Sequence, residues 1–122
     1  MKHQKSSFLI TILLLLLFCL SSFGNSISQK SKITASFTVL GNCGMCEKVI
    51  ETTANKLKGV KNAIWDKEQK ILTITYNSKK ISLIDIKKSI ANSGYDTDEI
   101  KATKEAYDAL HYCCKYDREY KN

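Results

Sequence analysis

Cys43 and Cys46 stand two residues apart in the stretch Gly41-Asn42-Cys43-Gly44-Met45-Cys46-Glu47-Lys48. Apolar residues alternate ahead of this stretch and recur at helical spacing behind it. The first cysteine therefore falls on a loop and the second in the first turn of a helix. With two residues between them, both sulfurs can converge on one point. A helix N-terminus carries partial positive charge and unpaired N–H groups, which favour thiolate over thiol, and Lys48 adds positive charge nearby. A thiolate pair suits a soft cation. Two sulfurs alone fit a near-linear Cu(I) ion or Hg(II), whereas Zn(II) takes four protein ligands, or three and a water. A pair open to solvent also lets another protein's cysteines attack stepwise, which favours carriage over permanent storage. The same spacing serves thiol–disulfide exchange, so the motif alone leaves both chemistries open.

More sulfur lies near the far end of the chain. Cys113 and Cys114 are adjacent, and His111 precedes Cys114 by three residues. With Cys43 and Cys46 they allow three disulfide pairings in an oxidising compartment. A bond between the two neighbours would close a strained ring. If the tail folds back, Cys113, Cys114 or His111 becomes an additional ligand. Such a closed site holds metal more tightly, shifts the function toward sequestration or sensing, and makes Zn(II) admissible. Met45, between the loop cysteines, is expected as a flexible side chain at the loop surface or the edge of the core, with a thioether ligand as the alternative.

The elements that position these groups follow from hydrophobic period. Ile33, Ala35, Phe37 and Val39 alternate with polar residues and predict a first strand. Cys46, Val49, Ile50, Thr53 and Leu57 form one helical stripe, closed by Gly59. Val60, Ala63 and Trp65 begin a second strand. Asp66-Lys67-Glu68-Gln69 makes a turn, and Leu72, Ile74 and Tyr76 make a third strand. Ser82 with Asp85 reads as the capped start of a second helix whose stripe is Leu83, Ile86 and Ile90, ended by Gly94. A short polar strand is expected over 98–102. The order βαββαβ predicts an α+β, ferredoxin-like sandwich, two helices covering one face of a four-stranded antiparallel sheet. A short extra helix is expected from Thr103 to about Cys114, with a polar, frayed end from Asp117. Phe37, Trp65 and Tyr76 are expected in the core, and Tyr107, Tyr112, Tyr116 and Tyr120 as packing residues of the tail. Lys87 and Lys88 are read as solvated rather than as a docking face.

The N-terminus reads as a leader. Lys2 and Lys5 precede an apolar run of 13 residues, Phe8 to Leu20, short of the ~20 that span a bilayer. Ser22 and Gly24 then offer small residues for cleavage, so residues 1–24 are expected to be a signal peptide and the protein to be exported to a periplasm. An uncut membrane anchor and a lipidated Cys19 are the lesser readings. A linker, 25–32, a domain over 33–103 and a tail over 104–122 complete the expected organisation. The whole chain of 122 residues carries a formal net charge of +7. Without Lys2 and Lys5, 17 basic residues face 12 acidic ones, a net charge of +5 dispersed over the surface. With one arginine, Arg118, and no interleaved aromatics, nothing here reads nucleic acid.

The motif, its place after the first strand, and its spacing to Gly94-Tyr95 resemble the heavy-metal-associated domain. That family includes copper chaperones, N-terminal modules of copper-pumping ATPases and periplasmic mercury-binding proteins. The resemblance covers about Ile33 to Thr103, with Gly59-Val60 matching the opening of its second strand. It implies Cys43 and Cys46 as the metal ligands and Tyr95 beside the site. A further implication is a non-enzymatic carrier or scavenger of Cu(I), or a Hg(II) binder, partnered by a metal transporter or another metal-binding domain. Both a monomer and a metal-bridged dimer fit. The family commonly has a methionine two residues before its first cysteine, packed beneath the loop. Here that position is Gly41, which predicts a looser loop. The rival is a small thioredoxin-like oxidoreductase. That fold depends on a proline facing its cysteines, and this chain contains none.

Overall fold

In the computed structural model, residues 9–14 and 31–118 are described. The expected leader 1–24, its cleavage after Gly24, and Cys19 lie outside the described residues, except that 9–14 form exposed helix. No helix among the described residues is long and apolar enough to cross a membrane.

Alternation in the first and third apolar runs produces β1 (Lys32–Thr38) and β3 (Ile71–Asn77), paired antiparallel from Lys32↔Asn77 to Thr38↔Ile71. β2 (Val60–Asp66) pairs on the other side of β3, giving the order β1-β3-β2. A register shift between Val60 and Asn62 inserts one extra residue in β2. The shift explains why Val60 and Ala63, three apart, both contact the core. The β2–β3 turn is built on the Asp66 carboxylate, which accepts the N–H groups of Glu68 and Gln69 at 2.9 and 2.8 Å. On the inner face Phe37, Ala63, Trp65, Leu72, Ile74 and Tyr76 are buried. The outer face carries hydroxyl pairs, Thr34 with Thr75 and Ser36 with Thr73.

Two amphipathic helices cover the inner face. α1 (Gly44–Asn55) buries Cys46, Ile50 and Ala54. Ala54 completes the buried stripe, and Val49 and Leu57 flank it, half-buried. α2 (Leu83–Asn92) starts at Ser82, whose hydroxyl oxygen accepts the Asp85 N–H and whose O–H donates to the Asp85 carboxylate at 2.6 Å. Ile86 and Ile90 are fully buried. Lys87 corrects the expectation of a solvated lysine. It is 3% exposed, lies over the Phe37 ring, and pairs with Asp98 at 2.9 Å and with Glu99. Burial opposes its charge, but the two carboxylates outweigh it and raise the Lys87 pKa. Lys88 is solvated as expected.

The fourth strand does not form. Among the described residues the sheet has three strands, and the returning chain makes an isolated bridge, Thr97 with Val39. Residues 98–102 turn away because Thr97 binds Ile100 through both backbone and hydroxyl, and Asp98 and Glu99 reach back to Lys87. The tail helix is also shorter than expected. α3 (Lys104–Asp108) is capped by Thr103, then the chain breaks into a 3-10 turn, Tyr112–Cys114. The Tyr107 carbonyl is taken by the Leu110 N–H and the Lys115 ammonium instead of a continuing helix. Tyr116 is buried and Tyr107 half-buried, but Tyr112 is 82% exposed and packs nothing into the core. Tyr120 lies outside the described residues. The expected frayed end is corrected at Arg118, whose side chain is 8% exposed.

Candidate metal site

Cys43 is the N-cap residue of α1, in extended conformation, and Cys46 sits one turn in. Their sulfurs are 3.2 Å apart. Burial acts to raise the Cys43 pKa. The Cys46 thiol, nearby backbone amides at Cys46 and Met45, and Cys114 overcome it, and Cys43 falls from 9.0 to about 7. Lys48 is exposed and is not among these leading causes. Cys46 goes the other way, to about 11, because it is buried and faces the sulfurs of Cys43 and Cys114. The anion therefore resides on Cys43, and the Cys46 proton is held between Cys43 and the side-chain oxygen of Asn42, 3.3 Å away. All four cysteines among the described residues are free thiols.

The loop is not loosened at Gly41. Gly41 is buried, and a Cβ there would lie 2.9 and 3.1 Å from Trp65 ring atoms and 3.2 Å from the Cys46 Cβ. The indole of Trp65, tied by its N–H to the Val39 carbonyl at 3.0 Å, fills the space beneath the loop. The bulk expected at position 41 is supplied from β2.

The C-terminal arm brings its sulfurs to the same place. Cys114 is 3.7 Å from Cys43 and 4.0 Å from Cys113. The ligand atoms of Cys43, Cys113 and Cys114 all lie within 4.8 Å of one another. His111 reaches the cluster through Cys113, its Nδ1 3.2 Å from that sulfur, and the Met45 sulfur lies 3.9 Å from it on the exposed side. Burial raises the Cys114 pKa, with the nearness of Cys43 and Cys113 adding to it and that of Cys46 and Tyr95 opposing. Tyr95 is fully buried beside these sulfurs. Burial, then the nearness of Cys114 and Cys46, pushes its pKa up.

The contacts that hold the arm were not foreseen from sequence. Arg118 donates to both carboxylate oxygens of Asp96, at 2.9 and 2.6 Å, and to the Ala102 carbonyl. The Tyr116 hydroxyl donates to the Gly94 carbonyl and accepts the Asp96 N–H, both at 2.8 Å. Asn42 donates to the Lys115 carbonyl at 3.1 Å, linking the cysteine loop to the arm. Gly94, at φ 104, lets α3 and the residues after it lie close, since a Cβ there would meet the Ala106 carbonyl oxygen at 2.8 Å and Leu110 at 2.7 Å. The lone arginine was the available signal, and its partner could not be read from spacing.

A family model described as heavy-metal-associated domain matches residues 42–96. The N-terminal domain of a potential copper-translocating P-type ATPase from Bacillus subtilis, solved in the Cu(I)-loaded state, is 33% identical. That likeness covers 54% of this chain and 84% of that one, with a TM-score of 0.52. The chain belongs to the heavy-metal-associated domain family. Copper chaperone CopZ of Staphylococcus aureus is 29% identical over 55 residues, 45% of this chain and 81% of that protein. Oxidized MerP from Ralstonia metallidurans CH34, 24% identical, shares the fold with a TM-score of 0.53 over 55% of this chain and 94% of that one. The heavy-metal-associated match contains the cysteine loop, both main helices, β2 and β3. It ends at Asp96, before the arm begins.

Proposed function

We propose that this chain is an exported Cu(I) carrier or scavenger that holds the ion at Cys43 and Cys46 and catalyses no reaction. One observation carries the reading: two sulfurs 3.2 Å apart at the N-terminus of α1, one of them with its pKa lowered to about 7. Thiolate is the form that binds soft metal, and metal binding releases the remaining proton. Relatives named for copper carriage and copper translocation support Cu(I) as cargo, with a transporter or another metal-binding domain as donor or acceptor. The apolar run at Phe8 to Leu20 supports export. In an oxidising compartment the pair must be loaded early or kept reduced, because a disulfide cannot ligate Cu(I). The test is titration of the reduced protein with Cu(I) against a chromogenic chelator. Uptake that is weakened in Cys43→Ser is expected; no uptake by the unaltered protein ends the proposal. A parallel Hg(II) titration ranks the two metals. Recovery of a mature chain beginning near Asn25 from the periplasm tests export.

A second reading has its own observation. An accessible low-pKa cysteine beside a buried high-pKa partner is also the asymmetry of a dithiol redox pair. Turnover of a disulfide substrate by the metal-free protein, lost in Cys43→Ser, would favour it.

A further inference from the structure

A two-sulfur carrier leaves its ion to two ligands, but here two more sulfurs, those of Cys113 and Cys114, lie beside Cys43. We propose that the C-terminal arm is part of the metal site: Cys113 and Cys114 give thiolates to the ion held at Cys43, so that at least three sulfurs bind it. The inference rests on the soft-metal reading above and deepens it, from carriage toward sequestration.

The distances fit. With metal–sulfur bonds of about 2.3 Å, three sulfurs around one ion stand ~4.0 Å apart. The Cys43–Cys114 and Cys113–Cys114 separations are 3.7 and 4.0 Å, and all three ligand atoms lie within 4.8 Å of one another. Cys46, 3.2 Å from Cys43, adjoins the same point. The arm reaches this position through contacts that involve no sulfur: the Arg118–Asp96 ion pair, the Tyr116 hydroxyl on Gly94 and Asp96, and Asn42 on Lys115. The third ligand is therefore positioned before metal arrives, and little ordering remains to oppose binding.

Tyr95 supplies an independent sign. Its hydroxyl is the buried side-chain polar atom that lacks a hydrogen-bond partner among the described residues. A buried hydroxyl left unpaired is costly. This one lies beside Cys114 and Cys46, where a thiolate would accept its proton in a hydrogen bond. Each thiol that ligates gives its proton to solvent, and no sulfur changes oxidation state. Cu(I) enters and leaves as Cu(I).

The closed site discriminates between the two roles left open above. A partner's cysteine must displace an arm sulfur before the ion can move, so release is slowed and storage favoured.

The experiment uses the reduced, mature full chain and its Cys113→Ser, Cys114→Ser double variant, each with one equivalent of Cu(I). Competition against a chromogenic chelator reads affinity. X-ray absorption reads the number of sulfurs on copper. Loss of groups that merely support metal ligands costs about 10–100-fold in affinity, so loss of the ligands themselves should weaken binding at least ~10-fold. Three or more sulfurs are expected in the unaltered protein and two in the variant. Alkylation of loaded protein, followed by peptide mapping, should find Cys113 and Cys114 protected. Two sulfurs in the unaltered protein, with both arm cysteines alkylated, overturns the inference and leaves the Cys43–Cys46 proposal standing. No Cu(I) uptake at all removes both. The sulfur count and the alkylation map need no variant, so a double variant that fails to fold does not spare the inference.

Discussion

Adding one methyl group at Gly41 tests whether the space beneath the cysteine loop belongs to Trp65. In Gly41→Ala the new Cβ would stand 2.9 and 3.1 Å from two indole carbons and 3.2 Å from the Cys46 Cβ. The backbone at Gly41 is not in the left-handed region, so the cost comes from contact and not from φ. The indole cannot slide freely because its N–H is bonded to the Val39 carbonyl, and the ring is 2% exposed. Overpacking of this kind costs about 1–3 kcal/mol. For a domain of this size each kcal/mol shifts Tm by about 4–8 °C, so Tm of the reduced, metal-free protein should fall by about 4–24 °C. Methionine, the residue common in the family, should cost more than alanine here. The diagnostic partner is Trp65→Leu, which destabilises alone by opening a cavity. Combined with Gly41→Met, it should lose less than the two single losses added together, because the thioether refills the space. Thermal melts of the four proteins give the coupling. An unchanged Tm in Gly41→Ala, or strict additivity in the cycle, would refute the claim that ring and glycine share one volume.

Three further outcomes are expected. Arg118→Gln leaves Asp96 buried without its cation; loss of one partner of a buried pair costs about 3–5 kcal/mol, and hydrogen exchange over 103–118 should rise well before that of β3. Equal protection in both proteins would remove Arg118 as the clamp. Alkylation of metal-free protein should show Cys43 reacting with a midpoint near pH 7 and Cys46 staying inert until about pH 11. The linkage has opposite signs. The lowered Cys43 contributes stability above its unfolded value of 9.0, lost as pH falls through about 7; the raised Cys46 contributes below 9.0 and loses it as pH rises through about 11. A common midpoint for both cysteines would contradict the asymmetry. Finally, Tyr95→Phe removes a buried hydroxyl that has no partner, so metal-free protein should melt at the same temperature or higher, whereas a clear loss of Tm would mean the hydroxyl is already satisfied.

Period alone was enough for much of the frame. Leu72, Ile74 and Tyr76 match a buried face throughout, and Phe37 and Val39 do so at the end of a run whose first residue, Ile33, is exposed. In the helical stripes Cys46, Ile50, Ile86 and Ile90 are buried, while Val49, Thr53, Leu57 and Leu83 are half-buried. The placement of Cys43 before the helix and Cys46 within it followed from where one period gave way to the other. What failed was decided by contacts distant in sequence. Residues 98–102 have strand-compatible polarity, but two of their carboxylates are drawn to Lys87, and that pull is invisible until α2 is folded against the sheet. The same contact turned Lys87 from a surface lysine into a buried one. Gly41 looked like a missing methionine because its substitute, Trp65, lies 24 positions away. The arm sulfurs were visible as candidates, yet nothing in their local spacing indicated that the tail would return to Cys43.

Asp96 explains why it returns. Its carbonyl accepts the Leu40 N–H at 2.9 Å, binding it to the chain just after β1. Its own N–H goes to Tyr116, and its carboxylate takes Ala102 N–H and Arg118. Every polar group of this nearly inaccessible residue is used, three of the four toward the arm. Asp96 is also where the heavy-metal-associated match ends. The arm is therefore fastened to the edge of the shared body at its last matched residue, close to the loop that holds Cys43. Attachment there moves Cys113 and Cys114 onto the metal loop without altering the strand-loop-helix geometry that positions Cys43 and Cys46. Soft-metal binding can then be a property of the shared body, while retention of the ion depends on the arm. Weakening the clamp at Arg118 should accordingly speed release of Cu(I) to a chelator while leaving Cys43 and Cys46 able to bind. Replacing Cys43, which adjoins both Cys46 and Cys114, should weaken binding itself with the clamp intact.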